Sequence, residues 1–514
     1  MTGASSLLRT LVIYSVCLPL AIFLGYLMAT PLDFTTLFGV GLILFILCLP
    51  LLLRAHHMLL IVSINMFAVV PFIPGKPYLW IAATWLSLTI SLGQYILNRR
   101  LRFISVPSVT KPLIFLSVVV LITMKLTGGF GLATFGGNSM GGKRYVMLLS
   151  AVLAYFAFTG QQIHPRRARL AVSLFFLGAA TSAVGELAPL LPSGAYIIFA
   201  LFPVSQFGYD AVVSGGGISA LGSRLSGLAG ACSAIVWAML AHFGIGQIFT
   251  VRNIGRALIF VGLVFISLMG GFRSAFIFFG MTFCLLFYLE GLIRSKLLPI
   301  LLLFMVLGGA LSVGFVDRLP FSMQRALSFL PLNVDPAARE GAEGSTEWRL
   351  KMWRDVIPDI PKYLILGKGY AISAAELSAT QVTVNEKDVL AGTELAGDYH
   401  SGPLSVLLTF GIFGTVGLIW FMAASWRVMY HNYKFGPPEY GLLNRFLYAF
   451  FVVKVITYFF IFGSLYTDMI AFTGLVGLSV SLNGGVARKP LPVPQLQQRP
   501  QPARFQRPRT VAAI

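Results

Sequence analysis

The chain is short of charge. Asp, Glu, Lys and Arg together make up 11% of its 514 residues, with 18 acidic side chains against 38 basic ones. A soluble globular domain carries about a quarter charged residues, so a water-soluble fold is excluded. Cysteine is also scarce. Cys17, Cys48, Cys232 and Cys284 all fall inside apolar stretches, which excludes a disulfide framework. The six histidines and the acids show no spacing of a metal-ligating kind, so no metal site and no cofactor is expected. No basic stripe interleaved with aromatics occurs either, so the formal charge of +20 does not point to nucleic acid.

Apolar sequence is what the chain has. Hydrophobic residues are 57% of it, and its mean hydropathy is +0.83. Runs long enough to cross a hydrocarbon core of about 30 Å recur over nearly the whole length. The expected spans are 8–29, 35–53, 58–74, 78–97, 112–127, 145–161, 168–191, 226–248, 256–271, 273–291, 297–316, 403–426, 441–463 and 466–483, with boundaries good to about four residues. The fold class is therefore all-α: a polytopic transmembrane helical bundle of about 12–14 spans. Four regions follow, an N-terminal transmembrane part over 1–316, a large loop over 317–402, C-terminal transmembrane helices over 403–484 and a tail over 485–514.

Lys and Arg orient the bundle, because short connections rich in them stay in the cytoplasm. Arg9, Arg54, the group Arg99 to Lys111, the group Arg166 to Arg169, Arg252 and Arg256, Arg294 and Lys296, Arg427 to Arg445 and the tail fall on one side. They amount to 22 of the 38 basic residues. That side is the cytoplasm, and both termini lie on it. The alternation holds only if 192–225 does not cross, so the apolar stretch Tyr196 to Val204 is expected to be re-entrant or interfacial. The first span has no trustworthy cleavage site and reads as a retained signal anchor. The tail from Arg488, rich in proline and glutamine, reads as a disordered basic strand that either touches anionic lipid heads or is merely solvated.

The loop over 317–402 holds 12 of the 18 acids and has room for soluble-type chemistry on the outer side. It is too short for an independent core and is expected to pack over the outer ends of the bundle. Within it, Ser345 and Thr346 are candidate caps of a helix running to Ile357. Trp348, Met352 and Val356 recur at i, i+4 and i+8, and the two tryptophans Trp348 and Trp353 suit the headgroup level. The two glycines of LGKGY (Leu366 to Tyr370) allow a tight turn or a close approach.

His400 is the one histidine of six on the outer side. It is the candidate general base, although a lone loop histidine is commonly structural or solvated. The same threading puts Arg224, Arg273 and Arg349 at the outer surface. Arginine forks match phosphate oxygens, so the three are candidate ligands of a diphosphate. The alternatives are pairing with Asp210 or Asp468, or snorkelling to water. Arg273 follows Gly270, Gly271 and Phe272 with almost no loop, at a depth where an unpartnered charge is costly. Lys125, Glu186, Glu290 and Lys454 lie in or near spans and read as structural pairs or as marks of a pathway.

These residues resemble the O-antigen ligase and O-antigen polymerase superfamily over about 220–415. The similarity lies in SRLSGLAGACSA (Ser223 to Ala234), GGFRSAF around Arg273, EWRLKMW with Arg349 followed by LGKGY, and DYHSGPLSVLLTFGIFG (Asp398 to Gly414). Ser401 stands where the family often has asparagine. The resemblance implies a glycosyltransferase of the bacterial inner membrane with its large loop in the periplasm. Its partners would be the lipid bilayer, an undecaprenyl-diphosphate-linked glycan as donor, and a glycan or lipid acceptor. His400 would take the proton of the acceptor hydroxyl, Arg224, Arg273 and Arg349 would hold the departing diphosphate, and Asp398 or Glu394 would orient the imidazole. Transfer would invert the anomeric carbon and would be metal-independent. A polysaccharide flippase or permease, and a sensor or scaffold protein, are the other classes that fit the hydropathy.

Overall fold

Where no water reaches the backbone, every N–H and C=O must be satisfied within the segment, and a long apolar chain therefore becomes helix. The computed structural model describes residues 2–27, 34–98, 103–129, 141–205, 225–372 and 397–489. Sixteen α-helices lie among them: α1 (Thr2–Leu27), α2 (Phe34–Ser63), α3 (Leu79–Leu97), α4 (Pro107–Thr127), α5 (Gly142–Thr159), α6 (Ala168–Leu177), α7 (Ser226–Ile248), α8 (Ile254–Ser267), α9 (Arg273–Leu289), α10 (Leu297–Phe315), α11 (Phe321–Leu327), α12 (Pro336–Val356), α13 (Ile360–Tyr363), α14 (Gly402–Phe435), α15 (Gly441–Phe460) and α16 (Leu465–Asn483). The only extended pairing among the described residues is a single bridge between Val69 and Tyr78. Nine of the helices are long and apolar enough to cross a membrane, and parts of α1, α8 and α9 form shorter apolar helices. The all-α polytopic bundle expected from hydropathy is borne out.

α16 sits at the centre, with 83% of its most apolar window buried, and α10 at the periphery, with none. α5 packs along α16, where Gly477 leaves room for the ring of Phe158. α14, α15 and α6 complete the core through Phe410, Phe421, Phe446, Phe451 and Phe175.

Several expected boundaries move. The span 58–74 is not a helix of its own: α2 continues to Ser63, and the chain then turns irregular through Pro71, Pro74 and Gly75. Proline offers no N–H and biases the residue before it away from the α region, which fits an irregular segment here. The span 168–191 is α helix only to Leu177 and then tightens into a 3₁₀ helix to Glu186. Residues Ser193–Ala200 form an eight-residue 3₁₀ helix, about 16 Å long at 2 Å per residue. That is too short to cross, and the following segment returns to Gly185, whose carbonyl accepts from the Ser205 N–H at 3.1 Å.

Two spanning helices are broken at glycines in positive φ. α7 breaks at Gly244 (φ 67°), and the N–H groups of Ile245 and Gly246, freed by the break, are both taken by the carboxylate of Glu290 at 3.0 Å. α14 breaks at Gly411 (φ 64°). Here backbone closes the gap: Lys368 N–H donates to Leu408 O (2.7 Å), Gly369 N–H to Thr409 O (3.0 Å), and Ile412 N–H to Leu364 O (2.7 Å). Gly367 and Gly369 have φ of 82° and 71°, and a side chain at Gly367 would run into the Thr409 backbone. LGKGY is thus a seam between loop and membrane helix. Glu186, like Glu290, caps a helix end, accepting from the N–H groups of Gly227 and Leu228 at the start of α7.

Candidate active site

Among the described residues, the apolar clusters of the loop include residues of the bundle. α11 and the turn after it bury Leu327, Leu332 and Val334 with Val316, against Phe276 of α9. α12 buries Met352 and Val356 against Tyr399 and Leu408 of the α14 side. α12 starts earlier than expected. Asp335 caps it, its carboxylate accepting from the Ala337 N–H at 2.8 Å, and Pro336 follows at the first position. Ser345 and Thr346 are therefore mid-helix and not caps. The tryptophans of α12 turn toward the protein: the indole N–H of Trp353 donates to Tyr399 O at 2.8 Å, and Trp348 lies against His400 at 5.2 Å between ring centroids.

His400 occupies the last position but one before α14, with φ at 49°. A non-glycine residue held there costs of order 1–3 kcal/mol, a strain the surroundings must sustain. The imidazole sits between Trp348 and Phe462, 5.0 Å from the latter ring. Its Nδ1 is 3.2 Å from Oδ1 of Asp398, which also accepts the His400 N–H at 3.3 Å. Both side chains are 22% exposed. Burial alone would push the Asp398 carboxyl up, but the His400 ring and N–H and the Ser464 hydroxyl outweigh it and hold it below the usual carboxylate range.

His400 lines a cavity of about 710 Å³ together with Trp348, Arg349, Lys454 and Phe462, floored by Phe175, Trp237 and Phe278. The Arg349 guanidinium lies 5.7 Å from the centre of the Phe462 ring, so imidazole and guanidinium share one ring as neighbour. Lys454, read from the sequence only as one of several charges in spans, reaches this cavity from α15. Its Nζ is 2.7 Å from Oδ1 of Asp468, whose other oxygen accepts the Ser464 N–H. Mid-span charge was the signal for it. Arg144, in the first turn of α5, is not among the residues lining the cavity. Its guanidinium lies 5.9 Å from the Tyr370 ring and 5.7 Å from the Tyr466 ring.

The expected site residues divide. His400 and Arg349 come together at one cavity. Arg273 is not among the residues lining it. Its Nη2 donates to Ala342 O (2.7 Å) and to the Thr346 hydroxyl (2.8 Å), gripping α12 from the start of α9. Arg224 lies outside the described residues, as do Asp210, Glu394 and the tail beyond 489. Among the described residues no group of three or more His, Cys, Asp or Glu is placed to hold a metal ion.

Fold and site define a multi-pass membrane protein with a cavity lined by Arg349, Lys454 and a single histidine. Residues 257–419 match the family described as O-antigen ligase. The match runs from α8 into α14, takes in Arg273, Arg349, Asp398 and His400, and bears out the resemblance to the O-antigen ligase and polymerase superfamily. It supports a membrane protein that transfers glycans as a ligase or polymerase in general. No curated protein matches the chain.

Proposed function

We propose that the protein transfers a glycan from undecaprenyl diphosphate to an acceptor hydroxyl at the outer, periplasmic face of the bacterial inner membrane. The observation that carries this reading is the meeting of His400, Arg349 and Lys454 on one cavity. The acceptor hydroxyl attacks the anomeric carbon as its proton passes to His400. The bond from that carbon to the phosphate oxygen breaks, and lipid diphosphate leaves from the opposite face, inverting the centre. Asp398 stands at Nδ1, which leaves Nε2 as the base and sets a negative charge beside the imidazolium as it forms. A well-placed base contributes roughly 10²- to 10⁴-fold.

Arg349 and Lys454 meet the charge growing on the diphosphate inside a largely apolar cavity, where fixed cations act most strongly. Arg349 offers a planar fork and Lys454 a point charge. Arg224 keeps its sequence-based role as a third diphosphate ligand. Arg273, its Nη2 engaged by α12, serves the site through that helix.

The test is glycan profiling in cells carrying His400→Ala or Arg349→Ala at wild-type protein level. The expected result is loss of mature glycan with lipid-linked precursor exposed on the outer leaflet. Normal glycan in both variants overturns the reading, and precursor held on the inner leaflet makes the protein a flippase.

A further inference from the structure

His400 carries an unfavourable backbone conformation, and the bonds on either side of it can be named. Asp398 takes its N–H, but at 3.3 Å and from two residues away, within the same turn. The following residue, Ser401, is tied to α14 by its carbonyl, which accepts from the Ser405 N–H at 2.9 Å. On the other side the carbonyl of Tyr399 is taken by Trp353 at 2.8 Å, a bond spanning 46 residues of chain. Trp353 itself lies half-buried among Met352, Val356, Tyr399 and Leu408. Trp348, one and a half turns earlier on α12, covers one side of the imidazole. α12 thus touches both the ring and the peptide preceding it.

We propose that Trp353 is a positioning residue for the base: its indole N–H fixes the Tyr399 carbonyl and thereby the left-handed turn that aims His400 into the cavity. This rests on His400 being the base of the transfer reaction. A misplacement of a catalytic group by about 1 Å can cost on the order of a hundredfold in rate while leaving substrate binding intact, so the effect belongs in kcat.

The experiment replaces Trp353 in the full-length membrane protein by benzothienylalanine, which keeps the bicyclic ring and puts sulfur where the N–H was. Trp353→Phe is the second variant and His400→Ala the control. The donor probe is the lipid-linked glycan extracted from cells that lack this protein. The expected result is a fall of about ten- to a hundredfold in kcat with KM for that lipid within about twofold, and faster amide exchange at residues 399–401. The benzothienyl chain turning over as wild type while His400→Ala is inactive overturns the role of Trp353 and leaves the base in place. Activity in His400→Ala overturns the reading of the base and this inference with it. Loss confined to KM also overturns the inference, since it would place Trp353 in substrate binding.

Discussion

Two histidine environments stand at different places in this molecule. His56 and His57 are buried in regular helix. Nδ1 of His56 is 2.9 Å from the Ser87 hydroxyl, its Nε2 accepts from the Gln161 amide at 3.1 Å, and Nε2 of His57 donates to Phe158 O at 3.1 Å. Their backbone is relaxed and their partners are neutral. His400 has a strained backbone, a carboxylate beside one nitrogen, an aromatic ring on each side and a cavity in front. Hydrogen bonds complete a structural histidine. His400 has instead the surroundings expected of the proposed base.

The sharpest way to break this contrast is His400→Ala against His57→Ala. The first is expected to lower transfer by about 10²- to 10⁴-fold at unchanged membrane level. The second should leave turnover per folded molecule as it was. Equal losses in a transfer assay would erase the distinction. Arg349→Ala comes next, with a loss of about ten- to a hundredfold in kcat/KM, the worth of one charge-assisted hydrogen bond. Arg349→Lys should recover only part of it, because the fork is lost.

Asp398→Asn tests the carboxylate. Because its carboxyl sits below the usual range, the contact with His400 stabilises the folded turn above the ordinary carboxylate pKa. The contact is lost only as pH falls through the lowered one. Amide protection at 397–401, corrected for intrinsic exchange, should therefore hold steady on acidification to about pH 4 and drop below it. In the Asn variant it should be weaker and flat across that window. Smallest for function is His57→Ala itself. It leaves the Phe158 carbonyl unpaired in the core and should cost about 1–3 kcal/mol, read as a lowered melting temperature of the detergent-solubilised protein.

Much of this was legible in the sequence. Hydropathy marks most of the long helices, and the charge count singles out His400 as a candidate. The convergence of Arg349 with it follows from helical spacing, since Trp348 and Arg349 are neighbours and Met352 and Val356 fix which face is buried. What sequence spacing does not show is which donors a guanidinium spends on protein. Arg273 reads as a phosphate ligand, yet its partners are a carbonyl and a hydroxyl 69 and 73 residues away. Lys454 was hidden for a related reason: a charge in a span announces itself, but the direction it faces depends on the packing of α15 against α16. Asp335 and Pro336 are a helix start that the sequence does carry, though Ser345 and Thr346 compete with it as capping types. The break in α14 has only Gly411 as its mark, in a segment with other glycines.

The seam at that break has a practical side. Residues 364–369 are bonded to the interior of α14 by three backbone contacts, two before Gly411 and one after it, and α12 reaches Tyr399 at the threshold of the same helix. The loop is consequently not a cassette. Grafting 317–402 alone from a relative would join two unrelated backbones at their most closely fitted edge. A transplant cut after α14, near Gly436, would carry both edges of the join together.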